Sequence, residues 1–150
     1  MSAAEGRPGD IVRVGPEPID AGVLAAALRT DASGAIASFA GVVRDHHQGR
    51  RVSHLIYEAY PPMAESELRR IVDEARGRWP VQRMAIVHRT GRLAVGETSV
   101  AVVVACAHRR AALEACSFAI EELKRSVPIW KKEFSDTGEE WILGDPSSPC

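Results

Sequence analysis

The strongest constraint on this chain of 150 residues is the apolar run at residues 100–107, which lies within a strand predicted at residues 97–107. Residues 100–107 (VAVVVACA) carry no charged side chain and are rich in valine, a β-branched residue that favours strands. A run of this length is far too short to cross a bilayer. We therefore expect it to be the main strand of a single core, which a chain of this size can close.

The remaining elements are predicted from apolar periodicity and from Pro and Gly stops. Helical spacing predicts helices at residues 21–29, 63–79 and Arg109–Ser126, the first capped by Asp20. Further strands are predicted at residues 11–14, 35–43, 52–60, 83–88 and 139–143. Strands and helices do not alternate regularly, so we predict an α+β fold with a largely antiparallel sheet. One domain is expected at residues 11–143, between a flexible N-terminus (1–10) and a short tail (144–150).

Composition excludes several classes of protein. The net charge of −1 gives no overall attraction to nucleic acid or to an anionic membrane. The first ten residues have no apolar stretch of the kind a signal peptide needs. Three cysteines, an odd number, do not indicate a disulfide framework. We therefore expect a cytoplasmic protein that binds neither membrane nor nucleic acid.

Two motifs suggest sites but lack essential parts. Residues 91–98 (GRLAVGET) have the glycine spacing of a phosphate-binding loop, but Glu97 occupies the lysine position and a strand follows, so we predict a hairpin turn. Cys106 and His108 are two positions apart, yet two ligands do not make a zinc site. No metal site is predicted, and Cys106 and Cys116 are expected to be core residues.

Basic side chains stand in three places where predicted elements end. These are Arg44, the cluster His108-Arg109-Arg110, and Lys124 with Lys131 and Lys132. A helix start favours an anion through its free N–H groups and its dipole, so arginines there indicate a negative partner. Solvated arginines, or pairing with Glu114, explain that cluster equally well. For Lys124 alone, a surface position with the stem packed on the protein is the more common outcome.

Six ordered motifs extend this pattern over most of the chain. They are GVVR at 41–44 leading into RDHHQG, YEAYPPM at 57–63, IVDEAR at 71–76 with WP at 79–80, HRTG at 88–91, AHR at 107–109, and LK at 123–124 with PIWKKE at 128–133. Together they closely resemble the large, catalytic subunit of molybdopterin synthases, from Ile11 to about Trp141. Two segments depart from the family pattern: Leu113 stands where phenylalanine is common, and the tail after Trp141 matches no family motif.

The resemblance implies an α/β-hammerhead fold and a homodimer. It also implies a partner, a small ubiquitin-like subunit with a C-terminal thiocarboxylate, and a heterotetramer with two such subunits. The expected reaction is transfer of sulfur to cyclic pyranopterin monophosphate (precursor Z), which makes the dithiolene of molybdopterin. The partner supplies the sulfur, so no cofactor is expected. The segment at residues 127–130 follows a helix stop and is expected to face a partner.

Site residues are carried over from matching motifs. Lys124 and Lys131 resemble the catalytic lysines, and Arg44, His108 and Arg109 resemble substrate-contacting residues. The remaining pocket residues implied by the resemblance are Val42, Val43, Lys132 and Glu133. Arg44, His108 and Arg109 are expected to form one anion site, which a dimer could complete. The alternatives are a non-catalytic module that binds phosphoanions or RNA, and an acyltransferase or hydrolase, although no Gly-x-Ser-x-Gly motif supports the latter.

Overall fold

The computed structural model describes residues 7–143, with side chains up to Trp141, so the tail at 144–150 with Cys150 and most of the N-terminus lie outside the described residues. The elements are β1 (Ile11–Gly15), α1 (Ala21–Leu28), β2 (Ala35–Val42), β3 (His46–His47), β4 (Arg50–Glu58), α2 (Pro61–Arg78), β5 (Val81–Arg89), β6 (Gly91–Ala94), β7 (Thr98–Cys106), α3 (Arg109–Ser126), β8 (Trp130–Ser135) and β9 (Gly138–Leu143). The strands form two sheets. The order in the first is β1-β5-β7-β2, and only the β1–β5 pair is parallel. The second has the order β3-β4-β8-β9, with β6 attached to β4, and is antiparallel. The predicted α+β class is confirmed.

Strand β7 lies at the centre of the first sheet, between β5 and β2. Val100 to Cys106 are all at most 1% exposed. Because side chains alternate along a strand, Val100, Val102 and Val104 pack beneath α2 and α3, whereas Ala101 and Val103 pack beneath α1. The apolar run is therefore buried in the core of a single chain, as the sequence analysis predicts.

The helices follow the predicted apolar faces. In α3 the buried residues are Ala112, Ala115, Cys116, Ala119, Ile120 and Leu123. Asp20 caps α1, since its carboxylate accepts hydrogen bonds from the N–H groups of Gly22 and Val23. Pro61 and Pro62, expected only to stop a strand, also begin α2, because proline suits a first turn where no N–H donor is needed.

The sequence did not predict three of the strands, which are β3, β6 and β8. β8 (Trp130–Ser135) has the sequence WKKEFS, whose three charged residues hide its alternation. The expected hairpin at residues 91–98 is only partly correct, because Gly91–Ala94 forms β6 and pairs with β4 of the other sheet. A strand still follows the turn, so the exclusion of a phosphate-binding loop stands. Within residues 7–143, no helix has the length and apolarity needed to cross a membrane.

Candidate functional site

A cleft opens where the end of β2 meets the second sheet and the end of α3. It is lined by Gly41, Val42, Val43, Arg44, His46, His47, Val52, Leu55, Tyr57, Ser99, Lys124, Lys131 and Glu133. Six of the nine residues predicted for the site are among them: Val42, Val43, Arg44, Lys124, Lys131 and Glu133. Three cationic side chains from three separate parts of the chain thus meet around one concave surface.

Arg44 is placed by a distortion at the end of β2. The pairing register with β7 shifts between Gly41 and Val42, which turns the chain out of the sheet. The Val43 N–H then donates to the Glu97 carbonyl at 3.0 Å, and the Gly96 N–H donates to the Val43 carbonyl at 2.9 Å. These two bonds hold the backbone beside Arg44, whose side chain is exposed at the rim. Gly41 is required by close packing, since a Cβ there would lie 2.7 Å from Val100 Cγ1.

Strand alternation separates Lys131 from Lys132. Lys131 lies opposite Tyr57 in the β4–β8 register and faces the cleft. Lys132 points to the other face of the sheet, where its Nζ lies 3.2 Å from Glu139 Oε1 and 5.1 Å from the centre of the Trp141 ring. The expectation that Lys132 lines the cleft is therefore wrong for a single chain, because successive side chains of a strand point to opposite faces.

Glu133 provides a buried carboxylate in this cationic surrounding. Its side chain is 3% exposed, and Oε2 lies 2.9 Å from His47 Nδ1. The other oxygen, Oε1, has no hydrogen-bond partner among the described residues. The Nη2 atom of Arg50 lies 3.9 Å from this Oε1 atom, which is too far for a hydrogen bond. The wall of the cleft therefore contains a buried carboxylate beside its positive charges.

Lys124 lies on the last turn of α3, one residue beyond the buried Leu123, and is half-buried. Behind the cleft wall, the ring of His88 meets Tyr57 edge-on, with centroids 5.0 Å apart. Nδ1 of His88 lies 2.7 Å from the Arg89 carbonyl and donates to it. Burial lowers the pKa of His88 to about 4, and the charge of Lys124 acts in the same direction. His88 is thus neutral near neutral pH.

His108 and Arg109 lie elsewhere in the same chain. They stand at the start of α3, exposed, whereas Lys124 is fifteen residues further along that helix, roughly 22 Å away at 1.5 Å per residue. Arg44 is also distant, because β2 runs antiparallel to β7 and ends far from His108. The single anion site predicted for Arg44, His108 and Arg109 does not form within one chain. Its completion by a second copy stays a prediction.

The two histidines of the RDHHQG loop behave differently. His46 is exposed, and its Nδ1 lies 2.7 Å from Asp45 Oδ1. His47 is largely buried, and its Nδ1 lies 2.9 Å from Glu133 Oε2. Sequence reasoning also missed Tyr57 and Ser99 as cleft residues. The β8 alternation could have indicated Tyr57, had that strand been recognised opposite β4.

The described cysteines are buried and unpaired, as predicted. Burial raises the pKa of Cys116 to about 11 and raises that of Cys106 as well. Neither thiol is therefore disposed to act as a nucleophile. Within residues 7–143, no three His, Cys, Asp or Glu side chains are grouped so that they could hold a metal ion.

Fold and cleft together define a small α+β protein whose cleft, lined by two lysines and an arginine, suits an anionic ligand. Comparison with known proteins identifies its family. The model of the MoaE protein family matches residues 14–126, so the chain belongs to the MoaE family. It is 46% identical, over 89% of its length and 90% of the relative, to the molybdopterin synthase catalytic subunit of Pyrococcus abyssi.

Solved structures agree with this assignment. Molybdopterin synthase from Staphylococcus aureus superposes with a TM-score of 0.83 at 38% identity, covering 87% of this chain and 96% of that one. A chain from the complex of subunits 1 and 2 of the Helicobacter pylori molybdopterin-converting factor gives a TM-score of 0.68, covering 93% and 91%. Its identity is 23%, so that likeness bears on the fold alone.

Proposed function

We propose that this chain is the catalytic subunit that moves sulfur onto cyclic pyranopterin monophosphate to form the molybdopterin dithiolene. The sulfur comes from the thiocarboxylated C-terminus of a small ubiquitin-like partner. The observation that carries the proposal is the meeting of Arg44, Lys124 and Lys131 in one cleft of a MoaE-family fold. Proteins of this family carry the name molybdopterin synthase catalytic subunit.

The charges of the cleft suit both reactants. The substrate carries a phosphate, and the partner's tail ends in a thiocarboxylate before transfer and a carboxylate after it. Charge-assisted hydrogen bonds from guanidinium and ammonium groups to such anions are short and strong. Arg44 at the rim and the two lysines further in offer these donors along one surface.

An external sulfur source agrees with the cysteines that the structure describes. Cys106 and Cys116 are buried in the core, and burial raises the pKa of each thiol. Neither lines the cleft. A thiocarboxylate brings its own ionised sulfur, so the reaction needs no thiolate from either of these residues.

Two roles are open to Lys124 and Lys131. An ammonium group can stabilise the oxyanion that forms when the acyl carbon of the tail is attacked. Alternatively, once the tail sulfur is bonded to the pterin, a lysine amine can attack the acyl carbon. The acyl C–S bond then breaks, the sulfur leaves with the pterin as a thiolate, and the amide formed between the lysine and the tail glycine is later hydrolysed by water. Their placement on different elements, α3 and β8, lets the two lysines approach one acyl carbon from two sides.

For the assembly, we propose a homodimer that binds two small subunits. His108 and Arg109 are exposed at the start of α3, far from the cleft of their own chain, so a second copy could bring them to the cleft. A shallow groove lies beside the cleft, where Trp130 precedes Lys131. It is lined by Glu58, Ala59, Tyr60, Met63, Pro128 and Trp130. Its exposed aromatic and Met side chains suit contact with the partner.

Reconstitution tests the proposal directly. The chain is mixed with precursor Z and a thiocarboxylated small subunit, and molybdopterin is measured against time. We expect product only when all three are present, with sulfur lost from the partner in step with product formed. No product, under conditions where both reactants bind, would contradict the proposal. Light scattering on the isolated chain and titration with the small subunit test the dimer and a stoichiometry of one partner per chain.

A further inference from the structure

His88 is a buried titratable residue that the proposed reaction does not use. It is 5% exposed and follows Met84 and Ile86 on the face of β5 that packs beneath α2 and α3. Burying an imidazole there costs free energy that a third aliphatic side chain would not cost. The packing of the core therefore does not account for a histidine at this position.

The ring of His88 is fixed at two points. Nδ1 donates to the Arg89 carbonyl at 2.7 Å, and the ring meets Tyr57 edge-on, with centroids 5.0 Å apart. A neutral imidazole has a single N–H, so the Nδ1 bond leaves Nε2 unprotonated, as an acceptor. Because Nε2 is at the end of the side chain far from the backbone, it points away from β5, towards the elements that pack over it.

Lys124 is the charged neighbour of this ring. The side chains around His88 are, by element, Val14 of β1, Val100 of β7, Tyr57 of β4 and Lys124 of α3. The positive charge of Lys124 acts on the ring. The carboxylate of Glu65, on α2, accepts instead from the Val14 N–H at 3.0 Å. Lys131 lies beside Tyr57, its partner in the β4–β8 register. The acceptor Nε2 is therefore presented towards the end of α3 that carries Lys124.

Lys124 has no carboxylate partner within residues 7–143, whereas Lys132 is paired with Glu139 at 3.2 Å. Its side chain is half-buried, so a nearby acceptor stabilises its ammonium group. A carboxylate in that place would cancel the positive charge that anionic reactants require. A neutral imidazole nitrogen attracts the ammonium group and leaves its charge available.

We propose that His88 is a positioning residue for Lys124, whose ammonium group is oriented by the Nε2 lone pair from behind the wall of the cleft. The inference rests on the proposed function and specifies how one of its two lysines is held. His88 is not among the residues that line the cleft, so it acts on the reaction only through its neighbours. Its loss should therefore lower the rate of sulfur transfer and leave the affinity for precursor Z unchanged.

A matched pair of substitutions separates an acceptor from a side chain that only fills space. His88→Gln keeps a neutral oxygen acceptor, whereas His88→Leu keeps a similar volume without one. Both lose the ring contact with Tyr57, so the pair differs in its polar atoms. His54→Ala is the control, because it removes an imidazole that stacks on Phe134 on the face of the second sheet away from the cleft.

Each variant is measured for its single-turnover rate at saturating precursor Z, its Kd for precursor Z and its thermal stability. We expect His88→Leu to slow sulfur transfer by about ten- to a hundredfold, the usual result of misplacing a reacting group by about 1 Å. His88→Gln should stay within about threefold of the wild-type rate. The Kd should change by less than about threefold in every variant, and His54→Ala should match wild type.

Nitrogen NMR tests the geometry without any measurement of activity. At neutral pH the His88 ring of the wild type should carry its proton on Nδ1 and have an unprotonated Nε2. In Lys124→Ala the pKa of His88 should rise, because the charge of Lys124 lowers it in the wild type. Lys124→Arg keeps the charge and should leave the pKa of His88 nearly unchanged.

The inference is overturned if His88→Leu transfers sulfur at the wild-type rate, or if His88→Gln and His88→Leu lose the same amount. A proton on Nε2 in the wild type also overturns it, and that result does not depend on any variant folding. A loss of precursor Z affinity in proportion to the rate would mean that His88 only maintains the cleft. Absence of transfer by the wild type would instead contradict the proposed function, and the NMR results would still decide whether His88 faces Lys124.

Discussion

The cleft and the start of α3 are both cationic, but they are built differently. In the cleft, Arg44, Lys124 and Lys131 come from different elements and surround a buried carboxylate. At the start of α3, His108 and Arg109 are exposed, and His108 makes no capping bond with its side chain. The cleft has a defined shape within one chain, whereas the start of α3 is an exposed helix end.

The difference shows what a charged cluster needs in order to act as a site. Groups in a concave, partly dry surface interact strongly with a ligand, while exposed charges are weakened by water and salt. The start of α3 has free N–H groups and a positive dipole end but no wall. It can bind an anion firmly only if another surface covers it. The cleft should therefore dominate catalysis, and the helix start should matter through a second chain.

Lys124→Ala should produce the largest effect. Removing a charge placed at a developing oxyanion typically costs about 10²–10³ in rate, without loss of the fold, because Lys124 is at the edge of the core. Single-turnover sulfur transfer measures it. Lys132→Ala is the control, since that lysine faces away from the cleft, and it should change the rate by less than about twofold. Equal rates for the two variants would refute the contrast between a lysine that lines the cleft and one that faces away from it.

The wall of the cleft should be sensitive to acid through His88. Its pKa is about 4 in the folded protein and about 6.5 when unfolded, so the unfolded chain binds the proton first as the pH falls. The stabilisation is full above about pH 6.5 and is lost towards about pH 4, for a total of about 3 kcal/mol. Denaturant titrations across this pH range should show that His88→Gln loses about 3 kcal/mol less free energy of unfolding than wild type does. Parallel curves for variant and wild type would disprove the assignment.

Substitutions in the segment at residues 127–130 should divide between stability and partner binding. Val127 and Ile129 belong to the core, which corrects the expectation that the whole segment faces a partner, whereas Trp130 is 47% exposed. Ile129→Asp should therefore unfold the protein, because it buries a charge. Trp130→Ala should weaken binding of the small subunit by about 2 kcal/mol, roughly thirtyfold, with little change in stability. Calorimetric titration measures the affinity for the small subunit, and thermal melts measure the stability. An unaltered affinity in Trp130→Ala would exclude the groove lined by Trp130 as the docking surface.

Arg109→Ala should have the smallest catalytic effect, about tenfold in KM. The sharper test is to mix it with Lys124→Ala and allow the chains to exchange. If Arg109 serves the cleft of the other chain, each mixed dimer contains one intact site. With substrate well below KM, random exchange then gives about a quarter of wild-type activity, more than the roughly one tenth that Arg109→Ala keeps alone. If the mixture is instead less active than Arg109→Ala alone although mixed dimers form, the helix start does not complete the cleft of the other chain.

Much of the fold could be predicted because its causes are local or nearly so. The run ending at Cys106, the apolar face of α3 and the cap by Asp20 all appear in the structure as expected. Strand β8 was missed because Lys131, Lys132 and Glu133 disguise its alternation. A strand whose polar side chains line a cleft resembles a solvated loop until its partner strand is known.

The candidate site divides in the same way. Residue types and family motifs were sufficient to name Arg44, Lys124 and Lys131, since an anionic ligand needs cationic residues around it. Glu133 was named from its family motif alone. The bond between His47 and Glu133 could not be predicted, because it joins residues 86 positions apart in the sequence. Likewise, only the register of β8 against β4 separates Lys131 from Lys132.

The sequence by itself determined the class of fold, the core strand, the helix faces and the family, because hydrophobic periodicity and ordered motifs are properties of the chain. The tertiary structure alone decided which cations share a cleft. It placed His108 and Arg109 at the opposite end of α3 from Lys124, and it left one oxygen of Glu133 without a donor. The physical reason is that distance, burial and hydrogen-bond satisfaction arise only when remote segments pack together, and electrostatic interactions depend on all three.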